Sequence, residues 1–433
     1  MSLACCDKES SQFTRVLPIK ERCAVVNGIL EERLDTILPK VMRETGVDMW
    51  LVMCWEDVWD PVYRSMLPAG VSTPKCLLML AFFDRGEEGV ERINLGRADM
   101  LDLYDSPYQL KTYNVQRGDQ QWMWLRDIVE DRDPKRIAIN QGEVTWAADG
   151  LTATLKESLI DALPEKYVAR LESGEELCRR WLETLSEYEL EMYPHVVSVA
   201  HSILREIYSR RTIVPGVTTT EDLKWIFWQT CADLSVRKET SFPSFGIVRS
   251  DAMMEKHGPD DITIRQGDLV CCDVVIRYLR LTTDTKQWAY VLREGESDVP
   301  ASLKKIMADG NRLQDIYMGE FVQGRTGNEI LRAALARARE EGLNSPKVYS
   351  HSCGLLLHEP GPLIGHPYEQ EHCIGRGEVP LNYNSSFVAE LSVHGVVPEW
   401  GGQTICFRPE EQVVFTRDGV KFIDGRQTSF YLI

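Results

Sequence analysis

The chain has 433 residues, of which 43% are hydrophobic and 27% charged, as is typical of a soluble globular protein with more than one domain. Its 49 Lys and Arg residues face 66 Asp and Glu residues, which leaves a formal net charge of −17. This acidic excess would repel phosphate backbones and anionic membrane surfaces, so we expect neither a nucleic-acid nor a membrane partner.

The N-terminal residues lack the basic region and apolar core of a signal peptide. The 12 cysteines are scattered and include no Cys-x-x-Cys pair, which indicates reduced thiols rather than a disulfide framework or a zinc ribbon. We therefore predict a cytoplasmic protein.

The first part of the sequence predicts an α/β domain. A helical pattern covers 29–45, and the apolar run at 49–53 indicates a buried strand. The same patterns predict strands at 76–83 and 136–140 and helices at 147–162 and 174–194. We place the domain boundary near 180, so that 1–180 form one domain and 181–433 the other.

The second part opens with a helix through 203–204. A turn at 215–216 then precedes another helix, for which Thr218 and Glu221 form a predicted capping box. Both signals together predict a helical pair at the start of this domain.

Strands and helices then alternate in blocks. Strands are predicted at 268–278 and 281–292, helices at 301–342, and mainly strands at 347–433. The last helix has its own signals, a capping box and a glycine stop: Thr326, Glu329 and Gly342. This order predicts an α+β arrangement of layers.

Several carboxylates lie inside or beside apolar strands of this second part. Asp273 lies within such a strand, and Asp284 follows eleven residues later on a returning strand. Glu390 is also inside an apolar strand, and Glu410 precedes one. A buried carboxylate needs a partner, and a cation is one of the few adequate ones. From their spacing alone, Asp273 and Asp284 could equally well be two acids in strand turns with no metal between them.

Two histidines, His351 and His358, flank a short apolar segment. A single histidine is more often a surface or core residue than a metal ligand. Four carboxylates and an imidazole, all in one half of the chain and close to apolar strands, favour a metal site over separate structural roles.

The order of these residues resembles the ligand series of the pita-bread metallopeptidases, the family of creatinase, prolidase and aminopeptidase P. Motifs around the five positions are similar as well. They are Gly267-Asp268-Leu269-Val270 before Asp273, Thr283-Asp284-Thr285, His351-x-x-Gly354-x-x-x-His358-Glu359, and Arg408-Pro409-Glu410-Glu411. The resemblance extends from about 190 to the C-terminus and implies a pita-bread catalytic domain preceded by a smaller creatinase-like domain.

The resemblance implies a role for each of these residues. Asp273 would chelate one of two divalent ions, Asp284 and Glu410 would bridge them, and His351 and Glu390 would complete the second site. Mn²⁺ is favoured among Mn²⁺, Co²⁺, Fe²⁺ and Zn²⁺ because oxygen ligands predominate.

The catalytic roles implied by the resemblance fall to three residues. Glu390 would transfer the proton, while His257 and His358 would hold the substrate and stabilise the oxyanion. The family likeness also implies a homodimer.

Six residues depart from the family pattern: Val275, Arg280, Leu281, Lys286, Ser352 and Lys347. Lys286 replaces a threonine that follows the second ligand, and Lys347 replaces a histidine common in proline-directed members. All five ligands remain in place, so the chemistry is better defined than the substrate.

Three functions remain open at this level. The leading one is a dinuclear hydrolase of short peptides, acting on Xaa-Pro dipeptides or on N-terminal Xaa-Pro bonds. The second is a metal-dependent hydrolase or lyase of a small non-peptide metabolite, such as a small amide. The third is a non-catalytic peptide-binding module, which the complete ligand set disfavours.

Overall fold

A computed structural model describes residues 15–71, 76–97, 100–107, 119–238, 243–358 and 360–433. The N-terminal residues, which lack the pattern of a signal peptide and include Cys5 and Cys6, lie outside these ranges. Glu359 also lies outside them. The chain forms two compact units. One contains residues 19–190 and 358–361, and the other contains 15–18, 191–357 and 362–433.

The N-terminal unit is built on a five-stranded sheet in the order β3-β2-β1-β4-β5. Its strands are β1 (Met49–Trp55), β2 (Leu77–Asp84), β3 (Val90–Asn94), β4 (Ile137–Ile139) and β5 (Leu171–Ser173). Its helices are α1 (Ile19–Glu32), α2 (Leu38–Thr45), α3 (Pro61–Ser65), α4 (Asp119–Arg132), α5 (Ala153–Ala162), α6 (Glu165–Val168) and α7 (Glu175–Glu183). The predicted apolar run at 49–53 is the central strand, which pairs antiparallel with β2 and parallel with β4.

The C-terminal unit combines helices with three small sheets. Its helices are α8 (Glu187–Ile207), which contains the boundary between the units, α9 (Thr220–Asp233), α10 (Asp251–His257), α11 (Ala301–Met318) and α12 (Gly327–Glu340). Its strands are β6 (Arg237–Lys238), β7 (Ser244–Val248), β8 (Leu269–Asp273), β9 (Ile276–Tyr278), β10 (Leu281–Thr282), β11 (Trp288–Tyr290), β12 (Lys347–Tyr349), β13 (Ser385–Val397), β14 (Gln403–Phe407), β15 (Glu410–Thr416), β16 (Gly419–Phe422) and β17 (Tyr431–Leu432).

The three sheets have the orders β10-β9-β6, β17-β11-β8-β7 and β12-β13-β15-β16, with β14 added to β13. Among the described helices, none is long and apolar enough to cross a membrane.

The long strand β13 divides its side chains between two faces. Phe387, Ala389, Leu391 and Val393 belong to the same core as residues of α11 and α12. Because side chains alternate along a strand, the residues between them point to the other face, and Glu390 is one of these. The core therefore fixes which side of the sheet Glu390 faces.

Two of the predicted strands are each divided by a change of partner. The first becomes β8 and β9, and the second becomes β10 and β11. Strand β8 pairs with β7 and β11, whereas β9 pairs with β6 and β10. The two apolar runs thus pass from one sheet to another, which hydrophobicity alone does not reveal.

One predicted capping box is wrong by a single residue. Helix α9 is capped by Thr219 and Asp222, whose backbone amides and side chains bond reciprocally. The Thr218 hydroxyl instead accepts a hydrogen bond from Val214 N at 2.9 Å within the preceding turn. Thr218 therefore shapes the turn that comes before the cap.

The second predicted cap is confirmed. Thr326 and Glu329 form the capping box of α12, and Gly342 has a φ of +77° just beyond its end. The helix predicted at 174–194 is two helices, because Ser186 and Glu189 form a new cap there through bonds of 2.8 and 3.2 Å. The helix predicted at 29–45 begins earlier, at Ile19, and includes a π-helical turn at Arg33–Ile37.

Arg33 is a fully buried cation in the core of the N-terminal unit. Its Nη1 donates to Glu189 Oε2 at 2.6 Å and to the Thr184 carbonyl at 2.7 Å, and its Nη2 donates to the Trp181 carbonyl. The side chains of Arg33 and Glu189 are 2% and 1% exposed. Arg33 thereby joins the first long helix to the link between α7 and α8.

Replacing Arg33 with methionine should lower the free energy of unfolding by about 3–5 kcal/mol, because Glu189 would be left as a buried, unpaired charge. The urea midpoint of the full chain, followed by circular dichroism, measures this loss. Arg85→Met is the matched control, since Arg85 and Glu88 form an exposed pair worth at most about 1 kcal/mol. Equal shifts in both variants would refute the structural role of Arg33.

Candidate metal centre

Three neighbouring strand segments place charged side chains in one row. Lys286 is bridged to Glu410, and Glu410 lies directly opposite Glu390 in the pairing of β15 with β13. Tyr349 of β12 lies opposite Glu390 on its other side. Residues directly opposite each other in antiparallel strands share a face, so all four side chains lie on the same face.

Asp284 and His351 extend this face by the same rule. Asp284 is two residues before Lys286, and His351 is two residues after Tyr349. Residues two apart in an extended segment point to the same face, so Asp284 shares the face of Lys286 and His351 shares the face of Tyr349. Oxygens of Asp273, Asp284 and Glu410 come within 4.8 Å of one another. His351 Nε2 lies 3.5 Å from Asp284 Oδ2.

The structure therefore brings together all five of the residues that the sequence nominated as ligands. Asp273, Glu390 and Glu410 meet around a common neighbour, the Lys286 ammonium, while Asp284 lies near Glu410 and His351 lies beside Asp284. Glu410 and His351 are each 1% exposed, whereas the Asp273 side chain is 46% exposed. The cluster is therefore buried at Glu410 and His351 and reaches solvent at Asp273.

The His351 ring has an orientation suited to ligation. Its Nδ1 lies 3.1 Å from the Ser352 carbonyl, which can only accept, so Nδ1 carries the hydrogen. In the neutral ring, Nε2 then presents its lone pair toward Asp284, as in metal-bound histidines held by a backbone carbonyl. Two lone pairs facing each other at this distance require a cation or a proton between them.

Burial and charge act against each other at the two central carboxylates. Burial raises the pKa of Glu410 well above its usual range, and Asp284, Glu390 and Asp273 raise it further against the effect of Lys286. Burial also favours a raised pKa for Asp284, but contacts with His351, Glu410 and Lys286 outweigh it and lower the pKa. A cation bound beside Glu410 would oppose this upward shift of its pKa and favour the ionised carboxylate.

The donors around Asp284 fit a divalent cation. Asp284 Oδ1 is buried and has no hydrogen-bond partner among the residues that the structure describes. Such an oxygen is costly unless something binds it. Together with Glu410 and His351 Nε2 it offers oxygen and nitrogen donors of the type that Mn²⁺, Co²⁺, Fe²⁺ and Zn²⁺ accept.

Lys286 is the residue at this site whose importance the sequence did not reveal. Its Nζ lies 3.3 Å from Asp273 Oδ2 and 3.0 Å from Glu390 Oε1, and it also contacts Glu410 Oε2. Burial lowers the pKa of Lys286, but Glu410, Glu390 and Asp273 outweigh burial and raise it well above its usual value. Lys286 is therefore a buried ammonium among the expected ligands.

A cavity of about 330 Å³ adjoins Glu390. Its wall combines two cations, two tyrosines, two uncharged polar residues and two apolar residues: Lys347, Arg408, Tyr349, Tyr368, Gln370, Ser392, Pro367 and Leu391. Glu390 is 23% exposed and is the expected ligand that reaches this cavity.

The two predicted substrate histidines are His257 and His358. His257 ends α10, and the charged groups acting on its ring are Arg265, Lys256, Asp261 and Arg249. His358 is exposed and belongs to the 358–361 segment of the N-terminal unit. Their substrate roles stay predictions.

The sequence also missed a charged network on the opposite face of the same strands. His201 of α8 places Nε2 2.9 Å from Glu411 and Nδ1 2.9 Å from Asp424. Gln287 donates to the other oxygen of Glu411 at 2.9 Å. Since Glu411 follows Glu410 and Gln287 follows Lys286, this network joins two of the strand segments that carry the metal-site row, which consists of Lys286, Glu410, Glu390 and Tyr349.

The metallopeptidase family M24 model matches residues 191–417 of this sequence. The chain therefore belongs to metallopeptidase family M24. This confirms the resemblance to the pita-bread enzymes that the motifs indicated, and M24 proteins are metal-dependent and typically dinuclear. A sequence search of curated proteins found no significant match.

Solved structures of several peptidases resemble nearly the whole chain. An X-Pro aminopeptidase from Thermotoga maritima matches with a TM-score of 0.62 at 16% identity, over 91% of this chain and 100% of its own. A dipeptidase from Mycobacterium ulcerans gives 0.58 at 15%, over 95% and 98%. An Xaa-Pro dipeptidase from Bacillus anthracis gives 0.55 at 15%, over 96% and 100%. These likenesses confirm the predicted α+β fold, a pita-bread domain preceded by a smaller creatinase-like domain.

The network at His201 predicts a specific pH dependence of stability. Burial lowers the pKa of His201, but Glu411 and Asp424 outweigh burial and raise it to about 9. A raised pKa adds stability that is complete below the unfolded value of about 6.5 and is lost as the pH rises through 9. Between pH 7 and 10 the protein should lose about 2–3 kcal/mol that a His201→Gln variant does not lose.

Urea midpoints of both proteins across this pH range measure the difference. The comparison with His201→Gln removes the contribution of other groups that titrate in the same range. Parallel pH profiles for the two proteins would contradict a charged His201.

Proposed function

We propose that this M24 chain is a metal-dependent hydrolase of short peptides, with Xaa-Pro dipeptides and N-terminal Xaa-Pro bonds as its first candidate substrates. One observation carries the proposal: oxygens of Asp273, Asp284 and Glu410 converge beside the His351 imidazole in a chain of this family. The favoured ion is Mn²⁺, and Co²⁺, Fe²⁺ and Zn²⁺ are alternatives.

A divalent ion at these donors would supply a Lewis acid for a peptide carbonyl and would lower the pKa of a water molecule. The residues of the chain provide the rest. Asp284, Glu410 and His351 hold the donor geometry through their fixed strand positions. Glu390 contacts Lys286 and also lines the cavity, so it is the side chain best placed to take and pass a proton.

The cavity beside Glu390 supports a short substrate with a negative end. Its volume of about 330 Å³ is at the lower end of the range for small-molecule sites. Lys347 and Arg408 on its wall would attract a carboxylate, and Tyr349 and Tyr368 offer apolar ring surface. A dipeptide with a free C-terminal carboxylate combines these features.

Hydrolysis of a dipeptide panel, with and without proline in second position, tests the proposed activity. The Mn²⁺-loaded protein should cleave members of the panel, and a chelator should abolish turnover until Mn²⁺ is restored. Asp284→Asn should lower kcat/KM by at least roughly 10²-fold, because even residues that only orient metal ligands typically contribute 10- to 100-fold.

Asp298→Asn is the control for this experiment, since Asp298 is exposed and pairs with Lys304. Peptide turnover that ignores both the chelator and Asp284→Asn would refute the metal-dependent mechanism. A silent panel with metal bound would shift the assignment to a small non-peptide amide.

The carboxylate preference has its own test at Lys347. Lys347→Ala should raise KM roughly 2- to 5-fold for dipeptides with a free C-terminal carboxylate, the range expected for an exposed charge pair. It should leave KM unchanged for the corresponding C-terminal amides. Lys305→Ala, on the exposed side of α11, should affect neither set. Equal effects of Lys347→Ala on acids and amides would contradict carboxylate recognition there.

A further inference from the structure

We propose that the Lys286 ammonium takes the place of one of the two metal ions, so that this chain binds a single divalent ion, held by Asp284, His351 and Glu410. This rests on the proposed metal-dependent function and changes the composition of its centre. It also departs from the dinuclear arrangement that the family resemblance implied.

The position of Lys286 is fixed by the backbone. Its amide donates to the Glu410 carbonyl at 3.1 Å, and the preceding residue, Thr285, exchanges hydrogen bonds of 3.1 Å with Val274 in both directions. The bridge to Glu410 directs the lysine side chain to the carboxylate face. The side chain is 8% exposed, so it has little access to solvent as an alternative location.

The contacts of Lys286 are those expected of an ion at the site of Asp273. Its Nζ meets Asp273 Oδ2 at 3.3 Å and Glu390 Oε1 at 3.0 Å, together with Glu410 Oε2. Three separate carboxylates thus each direct one oxygen at the ammonium. A metal that used Asp273 and Glu410 together would have to displace this group.

A different set of donors remains for a metal. Asp284 Oδ1 is buried and has no hydrogen-bond partner within the described part of the chain, and the Asp284 side chain is 8% exposed. His351 Nε2 lies beside the same carboxylate, and a Glu410 oxygen lies within 4.8 Å. The contacts of Lys286 with Asp273, Glu390 and Glu410 Oε2 involve neither Asp284 nor His351, so these two donors remain for one ion, with Glu410 as the ligand shared with the lysine.

The charge balance favours the same composition. Four carboxylates meet here, and one divalent ion together with Lys286 offsets three of their four negative charges. A divalent ion next to an ammonium has half the charge product of two neighbouring divalent ions. Adding a second divalent ion beside a retained Lys286 would combine both repulsions in a buried site.

Metal content per chain tests the proposal directly. The full-length protein is loaded with Mn²⁺, passed through a desalting column and analysed by inductively coupled plasma mass spectrometry. Wild type should hold about one ion per chain, and Lys286→Thr, which restores the residue type of the family motif, should hold about two. The electron paramagnetic resonance spectrum should change from isolated Mn²⁺ in wild type to spin-coupled Mn²⁺ in the variant.

Two controls separate charge from general disturbance. Lys286→Arg keeps the cation and should stay at one ion, and Lys347→Thr removes a lysine from the cavity wall and should also stay at one. If Lys286→Thr fails to fold, Lys286→Ala tests the same loss of charge, and the wild-type value stands without any variant.

The outcomes distinguish this proposal from the function on which it rests. Two ions in wild type would overturn the role of Lys286 while leaving a dinuclear peptidase intact. No ion in wild type would refute the metal-dependent function itself. One ion in both wild type and Lys286→Thr would show that the lysine does not exclude the second metal, and would also overturn the proposal.

Discussion

The main constraint on this protein is that four carboxylates share one partly buried face of the C-terminal unit. Carboxylates at this spacing repel strongly where water is scarce, so the face is stable only with cations or protons among them. The fold supplies one cation itself, Lys286, through a backbone bridge to Glu410. Asp284 Oδ1, which has no hydrogen-bond partner among the described residues, marks where further positive charge is needed.

The alternation of side chains along strands gives these segments a second, structural face. Glu410 points to the metal-site row, and the next residue, Glu411, joins His201 and Gln287 on the other side. Lys286 and Gln287 divide their side chains in the same way. Each strand segment is thus held by polar or charged contacts on both faces.

The sequence could nominate five residues that the structure places near one another, because acids inside apolar strands are rare and costly and because their order resembles that of a known family. It could not predict where strands change partners, since the apolar run that contains Asp273 is continuous while its pairing is not. His201 escaped notice because a single histidine on a helix carries no signal, and its partner Glu411 lies 210 positions away. The capping box was missed by one residue because Thr218 and Thr219 offer the same chemistry, and only the turn geometry chooses between them.

Lys286 is the residue on which the proposed single-ion centre depends. In the sequence, Lys286 is only one difference from the family pattern, next to a motif that is otherwise intact. It lies two residues after Asp284, and residues two apart along an extended segment share a face, so its ammonium group lies in the site. Glu390 then lies between this lysine and the cavity cations Lys347 and Arg408. Two of these three cations occur at positions where the family pattern has other residues. Both changes add positive charge around the carboxylate proposed to transfer the proton, which favours a site with fewer metal ions and a negatively charged substrate over the family arrangement.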